Sequence, residues 1–245
     1  MMGFTAPVRA LIVGARGGVG AAFVRALKAD SGTHEVWATS TSGGFDESGA
    51  DYTSQVDLTD ETSLASLAGQ MAEENFTPNL VLNCSGILHT DSFGPERTWR
   101  HLDIEVMRAV FDVNTFGVAL LAKHIMPTVP RQGRSVFASL SARVGSIGDN
   151  RSGGWYSYRA SKAAQNMILK GVAIEASMRW RELICVALHP GTVATDLSKP
   201  FARSVPPEKL FTPDQSCAYL SQVIAGLGSE QSGGFYAWDG QAIEY

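Results

Sequence analysis

The segment Gly14-Ala15-Arg16-Gly17-Gly18-Val19-Gly20 narrows the folds open to this chain more than any other. It lies between the apolar run Val8-Arg9-Ala10-Leu11-Ile12-Val13 and a stretch from Gly18 to Ala29 whose apolar residues recur at three-and-four spacing. A β-branched run that stops at a glycine reads as a buried strand of a parallel sheet. The spacing that follows reads as an amphipathic helix that begins inside the glycine cluster. A strand, a glycine turn and a helix in that order bring backbone amides close to the positive end of the helix, where a pyrophosphate can sit. A tight turn alone would use the same glycines, so the rest of the chain has to decide between the two.

The alternation continues. Residues 36–39 read as a strand, 61–75 as a helix, 80–83 as a strand and 104–126 as a long helix. Then come 135–139 (strand), 156–179 (helix), 184–188 (strand), 212–227 (helix) and 234–238 (last strand). Apolar strands alternating with helices predict an α/β fold, a doubly wound parallel sheet with helices on both faces, built as one domain over 1–245. The Gly/Ser-rich stretch 40–49 reads as a loop. Composition trims the function classes. A net charge of -4 without a block of like charge argues against nucleic-acid binding. No apolar run is long enough to span a bilayer, and no basic leader opens the chain, so neither a membrane span nor a secretory signal is expected. Three scattered cysteines predict a reducing, cytoplasmic setting, and five histidines without ligand spacing predict no metal site.

Ligands of such sheets collect beyond the carboxyl ends of the strands. An NAD site wants an acid at the end of the second strand, about 20 residues past the glycines, to hold a ribose hydroxyl. Here Thr39-Ser40-Thr41 stands there instead. Hydroxyls without a carboxylate tolerate a 2′-phosphate, and Arg16 in the glycine turn can neutralise it, which favours NADP, although Arg16 also reads as a solvated side chain. Asp57-Leu58, ahead of the helix read at 61–75, either bracket an adenine edge or cap that helix. Tyr158 and Lys162 form the chain's one Tyr-x-x-x-Lys and share a helix face. A cation at that distance favours the tyrosinate and fits the phenol for acid–base work near neutral pH.

Together with Asn83-Cys84-Ser85-Gly86, Asn114 in Val113-Asn114-Thr115-Phe116-Gly117, and Pro190-Gly191-Thr192-Val193-Ala194-Thr195, these motifs resemble a classical short-chain dehydrogenase/reductase over essentially the whole chain. The stretches 141–147, 155–158 and 235–240 are similar to its C-factor-like and carbonyl reductase branch. The resemblance implies a Rossmann fold and a cytoplasmic, NADP-linked reductase of aldehydes, ketones or quinones. It implies that Tyr158 donates the proton, that Lys162 tunes the phenol and holds the nicotinamide ribose, and that Asn114 anchors a water in a proton relay. Gly14, Arg16, Gly18, Val19, Gly20, Thr39, Asp57, Leu58, Asn83, Ser85 and Gly86 would serve the adenosine and pyrophosphate. Pro190, Gly191, Val193 and Thr195 would line the nicotinamide.

The family's carbonyl-polarising serine stands three residues before a glycine, and in that register Gly145 points to Ala142. Ser141 next door is the expected substitute, with Ser139 and Ser146 as alternatives; losing the donor altogether would weaken catalysis. That possibility sustains a second reading, a nucleotide-sensing or signalling protein that keeps the fold without efficient turnover. An epimerase acting on a nucleotide sugar is disfavoured by the short stretch after Gly191. Substrate loops are expected at about 88–96 and 195–210, the second as a mobile lid. Apolar residues on more than one face of 104–126 and 156–179 suggest a homodimer.

Overall fold

The computed structural model describes residues 2–45, 49–201 and 205–245, so Asp46–Ser48 of the predicted 40–49 loop and Ala202–Ser204 of the predicted lid lie outside it. Seven parallel strands form the main sheet: β1 (Val8–Val13), β2 (Thr33–Ser40), β3 (Tyr52–Gln55), β4 (Leu80–Asn83), β5 (Ser135–Leu140), β6 (Leu183–His189) and β9 (Phe235–Ala237). Their spatial order is β3-β2-β1-β4-β5-β6-β9, which reverses direction between β1 and β4. A separate pair, β7 (Thr192–Val193) and β8 (Leu210–Phe211), lies beyond β6.

Strand pleating sorts the core into two layers. Val8, Ala10 and Ile12 point to the face covered by α1 (Gly18–Ala29) and α6 (Pro213–Gly226). Leu11 and Val13 point to the opposite face, under α2 (Glu61–Glu73), α4 (Gly117–Ile125) and α5 (Tyr156–Ser177). The long helix expected over 104–126 is divided: α3 (Ile104–Phe111) passes into a π-helical segment, Asp112–Phe116, before α4 resumes. Such bulges occur often at functional sites, and this one contains Asn114.

β3 is the strand of the main sheet that the apolar pattern does not mark. Its Tyr-Thr-Ser-Gln sequence is polar because it is the sheet's edge strand, and Tyr52 holds it there by stacking on Trp37 of β2 with ring centroids 4.7 Å apart. The β1–α1 turn is built by glycine. Gly14 takes φ +78°, a left-handed conformation that favours glycine. A Cβ on Gly20 would lie 2.3 Å from the Gly14 carbonyl oxygen, so no larger residue fits under the turn. Backbone amides of Gly14 and Ala15 donate to the Thr39 carbonyl, which ties this turn to the end of β2.

Candidate active site

A cleft of about 770 Å³ runs across the carboxyl ends of the strands at the β1/β4 reversal, from the glycine turn to α5. At one end it is lined by Arg16, Gly18 and Val19, and at the other by Ser141, Ala142, Tyr158 and Lys162. Ser85, Gly86, Pro190, Gly191, Val193 and Thr195 lie between. These elements, separated along the chain, meet because all the strands point the same way.

The glycine-turn end has the form of an anion cradle. Gly17, the N-cap of α1, makes no side-chain cap, and the first turn carries no acidic residue, so its amide groups and the helix dipole face the cleft without an internal anion. Arg16 reaches toward the end of β2, where its Nη1 donates to Ser42 Oγ at 2.7 Å and to the Gly43 carbonyl at 3.1 Å. Thr39, by contrast, is fully buried and its Oγ1 has no hydrogen-bond partner among the described residues, so it contributes its carbonyl to the turn and not a hydroxyl to the cleft. Asp57 and Leu58 do not line the cleft either. Asp57 Oδ1 accepts from the amide and hydroxyl of Thr59, Leu58 is buried against Gly117, and the cap of α2 is Asp60.

Asn83 and Asn114 work from behind the cleft wall. Asn83 Nδ2 donates to Ser139 Oγ while its Oδ1 accepts from the Ser85 amide, which shapes the loop after β4. Asn114 clamps the Ile87 peptide from both sides: Oδ1 accepts from the amide and Nδ2 donates to the carbonyl, each at 2.8 Å. Gly86 is held between Asn114 and Lys162, since a Cβ there would stand 3.3 Å from Asn114 Oδ1 and 3.4 Å from Lys162 Nζ.

Tyr158 and Lys162 both sit on the buried face of α5. The Tyr158 hydroxyl makes no hydrogen bond with the described residues, and burial pushes its pKa well above the ordinary phenol value. The lysine effect expected from the spacing is therefore outweighed by desolvation in this geometry. The ammonium instead donates to the Leu140 carbonyl at 2.9 Å and to Gln165 Oε1 at 2.8 Å. Gln165 in turn donates to Ser139 Oγ and the Leu140 carbonyl, fixing the lysine's partner.

Burial also holds Lys162 down at about 7, against an ordinary 10.5. Between those values the unfolded chain keeps a proton that the folded chain has released, so stability rises with pH across that interval. The Cys185 thiol, pushed up to about 12 from 9.0, acts in the opposite sense above pH 9 and closes the window. Thermal melting of the cofactor-free protein is expected to gain roughly 1 kcal/mol of stability per pH unit between about 7 and 9. Lys162→Met is expected to flatten that rise, and equal slopes in the two proteins would refute the assignment.

Of the serine candidates, Ser139 accepts from Asn83 and Gln165, and Ser146 Oγ accepts from the Asp149 amide. Ser141 lines the cleft but commits its hydroxyl proton to Asn166 Oδ1 at 2.7 Å. The neighbouring cleft residue is Ala142, which has no hydroxyl to offer.

Three contacts escaped the sequence pattern. Glu96 is buried: its side chain accepts from the Ser157 amide and hydroxyl and its carbonyl from the Trp155 amide, so the loop before α3 caps the helix that carries Tyr158. Trp155, the N-cap residue of α5, takes a left-handed backbone at φ +52°, and its indole packs on Phe201 with ring centroids 4.8 Å apart. Arg159, next to the tyrosine, lies in the cleft wall.

Residues 9–205 match the short chain dehydrogenase family. The chain is a short-chain dehydrogenase. A Rhodococcus sp. relative, 1-hydroxy-2-glutathionyl-2-methyl-3-butene dehydrogenase, is 34% identical over 96% of this chain and 98% of its own length. The C-signal protein of Myxococcus xanthus is 31% identical over 59% of this chain and 81% of its own. Among solved structures, the NADPH-bound carbonyl reductase from chicken fatty liver superimposes with a TM-score of 0.83 at 26% identity, covering 99% of this chain and 96% of that one. This short-chain dehydrogenase thus has the fold and the C-factor-like kinship that its motifs implied, and among its described residues no helix is long and apolar enough to cross a membrane.

Proposed function

We propose that the chain is an NADPH-dependent reductase of a small carbonyl compound. The observation that carries this reading is the convergence, in one cleft, of an uncapped helix N-terminus beside Arg16 with the buried pair Tyr158 and Lys162. The residues fit a nicotinamide dinucleotide. Amides of the first turn of α1 would hold the pyrophosphate, and Arg16 with Ser42 the 2′-phosphate. Ser85 and Gly86 would border the adenosine, Lys162 would hold the ribose, and Pro190, Gly191, Val193 and Thr195 would flank the nicotinamide. When bound, that group supplies the hydride. The chain's own part is to hold the substrate carbonyl beside Tyr158, exclude water, and pass the phenolic proton to the carbonyl oxygen, so that an alcohol forms. Asn114 would steady the relay that reprotonates the tyrosine through Lys162. The NADPH-bound chicken relative supports the cofactor and the reaction class.

Preference for NADPH over NADH rests on Arg16 and on the lack of a carboxylate at the end of β2. Parallel assays of nicotinamide oxidation over a panel of aldehydes, ketones and quinones are expected to show turnover with NADPH at least about tenfold more efficient than with NADH, the scale of a charge-assisted contact. Equal efficiency, or a preference for NADH, would overturn the cofactor assignment. A second reading, a nucleotide-binding signalling protein with weak catalysis, is favoured by one observation, Ala142 in the serine's place.

We also propose a homodimer. Phe116, Met167, Ile174 and Met178 are all exposed, the last three at helical spacing on and just past α5. Light scattering on the purified chain is expected to give twice the monomer mass; a monomer at every concentration would end the idea.

A further inference from the structure

We propose that the substrate half of the cleft binds a carboxylate, so that the preferred substrate is a carbonyl compound that is also an acid, with Arg159 as its principal anchor and Arg151 as a second donor. Naming this class rests on the reductase reading above.

The charge lining that half is lopsided. Arg143, Arg151 and Arg159 line it beside Tyr158, against the acids Asp149 and Asp196. Asp149 is already neutralised by Arg143, whose Nε lies 2.7 Å from its Oδ2. Arg159 and Arg151 have no such partner among the described residues, and what they do bond is backbone. Arg159 Nε donates to the Gly154 carbonyl at 3.0 Å and Nη1 to the Val144 carbonyl at 3.4 Å. Arg151 Nη1 donates to the carbonyls of Gly148 and Asn150.

These bonds aim the guanidinium without discharging it. An arginine carries five donors in a planar fork, and Arg159 engages two of its three nitrogens, leaving Nη2 uncommitted. It is also half-buried, and desolvation weakens its hold on the proton. A cation taken partly out of water without a counter-charge is unfavourable until an anion joins it, and a carboxylate matches the planar guanidinium fork with two parallel hydrogen bonds. Because Tyr158 and Arg159 line the same cleft, one molecule that carries both an acid group and the reacting carbonyl can meet the two together.

The test uses matched probes that differ only in charge: 2-, 3- and 4-oxo carboxylic acids and their methyl esters, each with NADPH, on wild type, Arg159→Gln and Arg151→Gln. Wild type is expected to favour the acid over its ester by about tenfold or more in kcat/KM. Arg159→Gln, which keeps a donor for the Gly154 carbonyl, should bring that ratio near one by slowing the acid far more than the ester; Arg151→Gln should reduce it partway. Equal use of acid and ester by wild type, or equal slowing of both by Arg159→Gln, would overturn the proposal.

A second readout does not need turnover. Butanoate titrated into the NADPH-loaded protein should saturate a change in tryptophan fluorescence from Trp155 that butanamide does not produce, that salt weakens and that Arg159→Gln abolishes. Butanoate binding without reduction of any probe would uphold the carboxylate site and overturn the reductase reading. Reduction of esters without butanoate binding would do the reverse.

Discussion

Tyr158→Phe is expected to lower kcat about 10²–10⁴-fold, the range a positioned proton donor contributes, with NADPH affinity and melting temperature unchanged. The fold should not notice the loss because the Tyr158 hydroxyl makes no hydrogen bond with the described residues, while the ring it belongs to is buried and is retained by Phe. Single-turnover kinetics with pre-bound NADPH isolate the chemical step. A variant as fast as wild type would remove Tyr158 from the reaction; one that no longer binds NADPH would show that the hydroxyl supports the cleft and not the proton transfer.

The second large effect is a gain. Ala142→Ser should raise kcat by about 10²-fold, the scale of one added donor to a developing oxyanion. Ala142 lines the cleft with an extended backbone, φ -140° and ψ 142°, which serine adopts without strain. Its neighbour Ser141 already pairs with the Asn166 side chain at 2.7 Å. A rise in kcat at constant NADPH affinity would show that wild type works without its full complement of donors. No rise, with the fold intact, would mean that another group already polarises the carbonyl.

Much of this was legible in the residues because it is local. The turn Gly14–Gly20 and the pair Tyr158/Lys162 announce themselves by spacing, and each was placed where strand and helix periodicity put it. What was not legible depends on partners far along the chain. Lys162 and Tyr158 share a helix face, but only the packed structure shows that the lysine turns to Leu140 and Gln165 and that desolvation governs the phenol. Thr39 sits at the right sequence distance for a ribose contact and yet is fully buried, and its carbonyl, not its side chain, meets the glycine turn. The sequence places Asp57 as a contact or a cap, whereas in the fold the cap of α2 is Asp60, three residues on. Polar β3 was missed because an edge strand need not be apolar.

The contact of Glu96 with Ser157 spans 61 positions, and no local pattern could announce it. It also sets a rule for anyone who would re-engineer this protein. The loop proposed to shape the substrate mouth carries the carboxylate that finishes the helix bearing Tyr158, so the two have to be moved as a unit. A loop transplanted from a relative to change selectivity would bring its own residue at that position, and any graft that omits the glutamate would fray the first turn beside Tyr158. This loop cannot be exchanged like a cassette; it has to travel with its cap.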